Sequence, residues 1–236
     1  MRREGKANDS RGELEALYRA VSHELRSPLG AVLNYASILE LDHGDALSAG
    51  AHELIARLRR SADAAVTLLD SLARLAQVER APVEPAPVDL AAVARKAWDA
   101  VKPPKLRAEL ELGALAEPVA DPALLQTALE ELFANAIKFS ETREKAKVAV
   151  SALRSDSGGV LICVRDEGVG FDPQFAPKLF QVFSRLHPRG TYPGAGVGLA
   201  VVRRIAARHG GAVWAESERE AGARFFLELP AGETRP

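Results

Sequence analysis

The sequence predicts two domains of different class. The first is an all-α helical hairpin that forms a homodimeric four-helix bundle. The second is an α+β sandwich, a mixed sheet covered by about three helices. Three observations predict this. Apolar residues recur in alternating steps of four and three over much of the first 80 positions. Three prolines within Pro82–Pro87 then interrupt any helix. Beyond them, short segments of alternating polarity interleave with helical ones.

Residues 1–9 are polar and are expected to be disordered. Ser10 and Glu13 fit a capping box that opens the first helix. Its apolar seam runs Leu14, Tyr18, Val21, Leu25, Pro28, Val32, Tyr35 and Leu39, and the pattern fades in a turn at Asp42–Asp45. A second seam follows through Leu54, Leu58, Ala62, Ala65, Leu69, Leu72 and Ala76. Two helices of ~30 residues make a hairpin about 45 Å long. Each helix covers only one stripe of the other, and pairing two hairpins supplies the missing contact. The first domain is placed at 10–80, the stiff linker at 81–88 and the second domain at 89–236.

In the second domain Asp89 caps a helix that runs to about Val101. Leu106–Leu112 alternates and reads as a strand, as does Ala116–Ala120. Asp121-Pro122 pairs an N-cap with proline at the first helical position, and the helix extends to about Phe139. Lys147–Leu153 and Gly159–Arg165 form a hairpin, Val197–His209 is a helix ended by Gly210-Gly211, and Ala212–Ser217 and Arg224–Leu229 are the last strands. The aperiodic stretch 167–195, rich in glycine and proline, reads as a functional loop.

Composition narrows the function. Net charge is -1 and no long run of one sign occurs, which argues against nucleic-acid or membrane-surface binding. Cys163 is the only cysteine, so an intramolecular disulfide is impossible and a cysteine zinc site is not expected. No apolar stretch reaches the ~20 residues a spanning helix needs. The N-terminus lacks the apolar segment of a signal peptide, and a cytoplasmic location is expected.

Four stretches carry chemistry. In Glu131-Leu132-Phe133-Ala134-Asn135-Ala136-Ile137-Lys138, Glu131 and Asn135 share a helix face, with Lys138 three further on. A carboxylate, an amide oxygen and an ammonium suit a magnesium-bound triphosphate, with Asn135 as metal ligand and Lys138 on phosphate. The same three residues also fit a solvated polar face. Asp166-Glu167-Gly168-Val169-Gly170 follows an apolar strand, where a carboxylate can accept from an exocyclic amine and the glycines admit a flat ring. A plain turn would look similar. Gly194-Ala195-Gly196-Val197-Gly198-Leu199 opens a helix with unobstructed N–H groups, as phosphate cradles do. Its sixth position is Leu199 and no Gly-Lys-Ser/Thr occurs, so it is neither a dinucleotide fingerprint nor a P-loop. Finally, Val21-Ser22-His23-Glu24-Leu25-Arg26-Ser27-Pro28-Leu29 places a histidine and a carboxylate on the first helix, with His23 at the outward heptad position f. Alone, this pair is also a common surface arrangement.

Taken in order, the His23 stretch, Asn135, Asp166-x-Gly-x-Gly, Phe180-Gln181-Val182-Phe183 and Gly-x-Gly-x-Gly-Leu resemble the phosphoacceptor, N, G1, F and G2 boxes of two-component sensor histidine kinases. The second domain then resembles the GHKL ATPases with the Bergerat fold. The resemblance spans about residues 10–230. It implies ATP and Mg²⁺ as cofactors and His23 as phosphoacceptor, with Glu24 taking or orienting its proton. It implies that Asp166 reads the adenine amine, that Gly168, Gly170, Gly194, Gly196, Gly198 and Leu199 line the pocket, and that Phe180 and Phe183 anchor a lid. Arg185 would reach the γ-phosphate. Ser27 stands where a regulator-dephosphorylation motif carries its last polar residue, and Pro28 would act as a hinge. The implied partners are a second copy of the chain, the receiver domain of a response regulator, and a sensor domain in cis or in trans. Two other readings stay open: a GHKL ATPase clamp, for which Glu131 would be the general base, and a non-catalytic dimeric scaffold or phosphotransfer protein.

Overall fold

The computed structural model describes residues 24–103, 108–141, 143, 146–186, 192 and 194–232. His23, the capping box at Ser10 and the seam residues Leu14, Tyr18 and Val21 lie outside the described residues, as does His187. The chain divides into two units, Met1–Gln77 and Val78–Pro236.

In the first unit a helix over residues 24–43 (α1) runs unbroken through Pro28. A single 3-10 turn, Gly44–Ala46, reverses the chain, and α2 spans Ala49–Arg80. Ser48 Oγ accepts from Ala51 N–H at 3.2 Å and so caps α2. Salt bridges Arg26–Asp70 and Arg59–Glu40 link the helices at two levels, the register of an antiparallel hairpin. Ala36 and Ile55 are buried, and so are the seam residues Ala62 and Leu69. The seam residues Leu25, Val32, Tyr35, Leu39, Leu54 and Leu58 are instead 38–67% exposed in the single chain. The stripe of α1 and the first part of the α2 stripe are therefore left open, whereas the α2 stripe from Ala62 onward is buried or half-buried.

In the second unit, β1 (Ala86–Pro87) pairs antiparallel with β3 (Val119–Ala120), and Val88 N–H donates to Pro118 O at 2.9 Å. The expected linker 81–88 thus contributes a strand, because its unpaired backbone groups find partners just ahead of Asp121. Five strands form the main sheet in the order β2-β4-β5-β7-β6. They are Ala108–Leu115, Ala146–Arg154, Val160–Asp166, Ala223–Leu229 and Ala212–Ser217. β2 and β4 are parallel and the remaining pairs are antiparallel, so the sheet is mixed. Alternate residues on β4, β5 and β7, including Val148, Val150, Ile162, Val164 and Leu227, are almost completely buried.

Three helices complete this unit: α3 (Leu90–Val101), α4 (Pro122–Phe139) and α5 (Gly198–Arg208). α4 is the central one, packing between α3 and α5 and against β4 and β5. Leu125, Leu129, Leu132, Phe133 and Ala136 on α4 are at most 1% exposed, and Phe133 meets Trp98 of α3 edge-on at 5.7 Å. α4 starts where it does because Asp121 Oδ1 accepts from Ala123 and Leu124 N–H at 3.0 and 2.9 Å. His209, at the end of α5, accepts from Asp121 N–H at 2.9 Å through Nε2 and sits 2.8 Å from Ile205 O through Nδ1. The last turn of α2 belongs to this unit: Arg208 donates to Val78 O, and Arg204 pairs with Glu79. Among the described residues no helix is long and apolar enough to cross a membrane.

Candidate functional site

α4 supplies the first group of site residues. Its deeply buried face fixes its rotation, which turns Glu131, Asn135 and Lys138 to a half-buried edge. Lys138 Nζ donates to Asn135 Oδ1 at 2.9 Å and lies 4.4 Å from the centre of the Phe139 ring. Burial, with the nearby Arg185 guanidinium adding to it, pulls the Lys138 ammonium down to about 8; Glu131 and Glu141 oppose the shift.

The Asp166 turn joins the C-terminal end of the same helix. Val169 N–H donates to Phe139 O at 3.1 Å. Gly168 packs so closely there that a Cβ would lie 2.6 Å from Phe139 O, which excludes any other residue without a backbone shift. Asp166 is 3% exposed and Gly168 N–H donates to its Oδ1 at 2.9 Å. Burial pushes its carboxyl up to about 6, against the opposing hydrogen bonds from Gly168 and Ala223 N–H. Gly170 has φ 62 and lies under the β6–β7 hairpin, where a Cβ would come within 2.2 Å of Glu218 O.

The second glycine motif reaches α4 from the other side. A Cβ on Gly198, the first residue of α5, would lie 2.4 Å from Glu131 Oε2, and one on Gly194 would lie 3.6 Å from Lys138 Nζ. Leu199 follows, half-buried. Gly196 sits against the backbone of Phe183 and Ser184. Arg185 donates to Gly194 O at 2.8 Å and to Tyr192 O at 2.7 Å, and Tyr192 meets Phe139 edge-on at 5.0 Å. Phe180 is buried, whereas Phe183 is 54% exposed in a left-handed conformation (φ 65). Residues 187–191 and 193 of the expected lid lie outside the described residues.

The structure therefore brings Glu131, Asn135, Lys138, Arg185, Gly194 and Gly198 together and attaches the Asp166–Gly170 turn to the end of the same helix. Glu24 and Ser27 are exposed on α1, in the other unit. Glu131 and Asn135 suit a cation held mainly by nucleotide phosphates and water, as Mg²⁺ commonly is. Among the described residues no group of three or more His, Cys, Asp or Glu could enclose a metal, so the all-protein alternative has no support there.

Two residues that carry weight here have no motif in the sequence. Arg143 donates to backbone carbonyls of Glu167, Gly168 and Glu220. Ser217 Oγ accepts from Phe171 N–H at 2.9 Å and donates to Gly222 O at 2.6 Å. Both bind backbone that lies more than twenty residues away, Arg143 at Glu167, Gly168 and Glu220 and Ser217 at Phe171, and neither spacing nor residue type marks them out.

Two family models match the chain in succession. Residues 13–81 match the His Kinase A (phospho-acceptor) domain, and residues 120–233 match the histidine kinase-, DNA gyrase B- and HSP90-like ATPase family. The chain is 32% identical over 225 residues to the phytochrome-like protein Cph1 of Synechocystis, covering 94% of this chain and 30% of that protein. It is 31% identical to the sensor-like histidine kinase SenX3 of Mycobacterium tuberculosis, covering 89% of this chain and 52% of SenX3. The crystal structure of full-length ShkA in complex with AMPPNP superposes with a TM-score of 0.63 at 30% identity, covering 91% of this chain and 45% of ShkA. The chain thus spans about a third to a half of the length of these relatives. With a phospho-acceptor domain followed by an ATPase domain of this kind, the chain belongs to the histidine kinases and is the catalytic core of a sensor histidine kinase.

Proposed function

We propose that this core autophosphorylates His23 from Mg-ATP and passes the phosphoryl group to an aspartate on the receiver domain of a response regulator. The observation that carries the proposal is the meeting of two glycine motifs and Arg185 on one helix edge bearing Glu131, Asn135 and Lys138. Backbone N–H groups at the start of α5 and the ammonium of Lys138 would hold the phosphates. The buried carboxylate of Asp166 would accept from the adenine amine, with Gly168 and Gly170 beside the ring. Asn135, with Glu131 near it, would hold Mg²⁺, whose chemistry is to neutralise charge building on the β,γ-oxygens.

In the transfer itself a neutral imidazole nitrogen of His23 attacks the γ-phosphorus. The N–P bond forms as the bond to the ADP oxygen breaks, and the proton on the ring passes to the carboxylate of Glu24. Phosphohistidine then serves as the donor to the receiver carboxylate. Ser27, one turn further along α1, is assigned to dephosphorylation of the regulator. Arg185 and the Phe180–Phe183 segment are assigned to a lid over the phosphates.

The exposed stripe Leu25, Val32, Tyr35, Leu39, Leu54 and Leu58 supports a homodimer, because a second hairpin would remove this apolar surface from water. The domains are assigned as 10–80, 81–88 and 89–236, with a cytoplasmic location and a sensor domain supplied in cis or in trans. Glu131 lying against Gly198 favours one side activity, hydrolysis of ATP with Glu131 as base.

Incubation with γ-labelled ATP tests the proposal. Acid-labile, alkali-stable label should appear on protein and be lost in His23→Gln, which should still bind ATP. Label that stays off the protein while phosphate is released would favour the ATPase reading instead.

A further inference from the structure

The start of the Asp166–Gly170 turn is bonded by the side chain of Arg143, which lies outside the glycine motifs. Arg143 follows α4 in a tight turn, with its own N–H donating to Ser140 O at 2.9 Å. Its guanidinium Nε donates to Glu167 O at 3.0 Å, and Nη2 donates to Gly168 O at 3.2 Å and to Glu220 O at 3.1 Å. The Glu220 carboxylate lies 3.8 Å from the same Nη2. These acceptors belong to two loops, the Asp166 turn and the β6–β7 hairpin. The loops also bond each other, since Glu220 N–H donates to Val169 O at 2.8 Å. Glu220 has φ 61, a conformation costly for a residue with a side chain, and the arginine binds its carbonyl. A planar guanidinium is suited to this task, because it presents several N–H groups in fixed directions.

We infer that Arg143 is a positioning residue for base recognition: its guanidinium pins the Glu167 and Gly168 carbonyls to the β6–β7 hairpin and so fixes Asp166 where it reads the nucleotide base. The inference rests on the ATP-binding role proposed above and extends it to a residue outside the motifs. Arg143 has no proposed contact with the nucleotide. Its effect should therefore fall on discrimination between bases and spare the grip on phosphates. A carboxylate facing the 6-position attracts the amine of adenine and repels the carbonyl oxygen of guanine. Loosening the turn weakens both effects.

The test is to measure Kd for ATP and for GTP, with Mg²⁺, in the whole chain and in Arg143→Ala, Arg143→Gln and Arg143→Lys, alongside the melting temperature of each. The expected result is about tenfold weaker ATP binding in Arg143→Ala and Arg143→Gln, with GTP changed by no more than about twofold, the scale of losing charge-assisted hydrogen bonds. Arg143→Lys should resemble Arg143→Ala, because one ammonium cannot reproduce the fork across both loops. Three outcomes would overturn the inference alone. One is ATP affinity unchanged in Arg143→Ala. Another is ATP and GTP affinity falling together with the melting temperature, which would mark a merely structural role. The third is a wild-type ATP/GTP ratio retained by Arg143→Lys. Failure of the wild-type chain to bind ATP would remove the inference together with the reading beneath it.

Discussion

Asp166→Asn separates the cost of the buried carboxylate from its use. Asp166 is 3% exposed, and burial raises its carboxyl from 3.8 to about 6. That rise corresponds to about 3 kcal/mol by which ionised Asp166 disfavours the folded state at neutral pH. The sign follows from proton binding. Between 3.8 and about 6 the folded protein holds this proton more than the unfolded chain does, so stability falls as pH rises through that window and then levels off. Asparagine keeps an oxygen to accept from Gly168 N–H and removes the charge, but its amide group cannot accept from Ala223 N–H. The net gain should be about 1–2 kcal/mol, raising Tm by roughly 2–8 °C at pH 7.5 by calorimetry. The variant should also lose the fall in stability between pH 4 and 6. ATP affinity should drop about 10- to 100-fold, the worth of a hydrogen bond to a charged acceptor. A lower Tm in the variant, or unchanged ATP affinity by calorimetric titration, would refute the reasoning.

Lys138 titrates at about 8 because it is buried beside Arg185, so ATP affinity should weaken as pH rises through 8, and Lys138→Arg, which keeps its charge, should move that loss to higher pH. Below that pH the buried ammonium costs folding energy that deprotonation removes, so Lys138→Met should raise Tm of the unliganded chain at pH 7 while weakening ATP binding. Gly170→Ala combines φ 62 with a Cβ 2.2 Å from Glu218 O, and should destabilise the second unit by about 2–3 kcal/mol in urea titrations. Leu54→Glu together with Leu58→Glu places charge on the exposed stripe of α2; sedimentation should show a monomer in place of the proposed dimer, with helix content kept.

Much of the second unit was legible because its signals are local. Asp121-Pro122 marks the start of α4, and the helix ends at Phe139 as its periodicity predicts. Alternation locates β4 and β5, and Gly210-Gly211 closes α5. The glycine motifs were recognisable because close backbone approach tolerates only one residue type. The strand at Ala86–Pro87 was not legible, since proline-rich sequence reads as linker and its partner, β3, lies more than thirty residues away.

The sequence by itself determined the order of elements, the residue types at the proposed nucleotide site and the existence of a heptad stripe, all of which depend on neighbours within one or two turns of chain. Only the tertiary structure decided which way that stripe faces, leaving Tyr35 and Leu54 exposed while Ala36 and Ile55 are buried. It alone decided that Gly198 meets Glu131 and that Gly168 meets the carbonyl of Phe139. It alone joined Arg143 to Glu220 across 77 positions. Periodicity records how a segment divides between core and solvent, but a backbone carbonyl exists at every residue, so no pattern of residue types announces which distant one a guanidinium will hold.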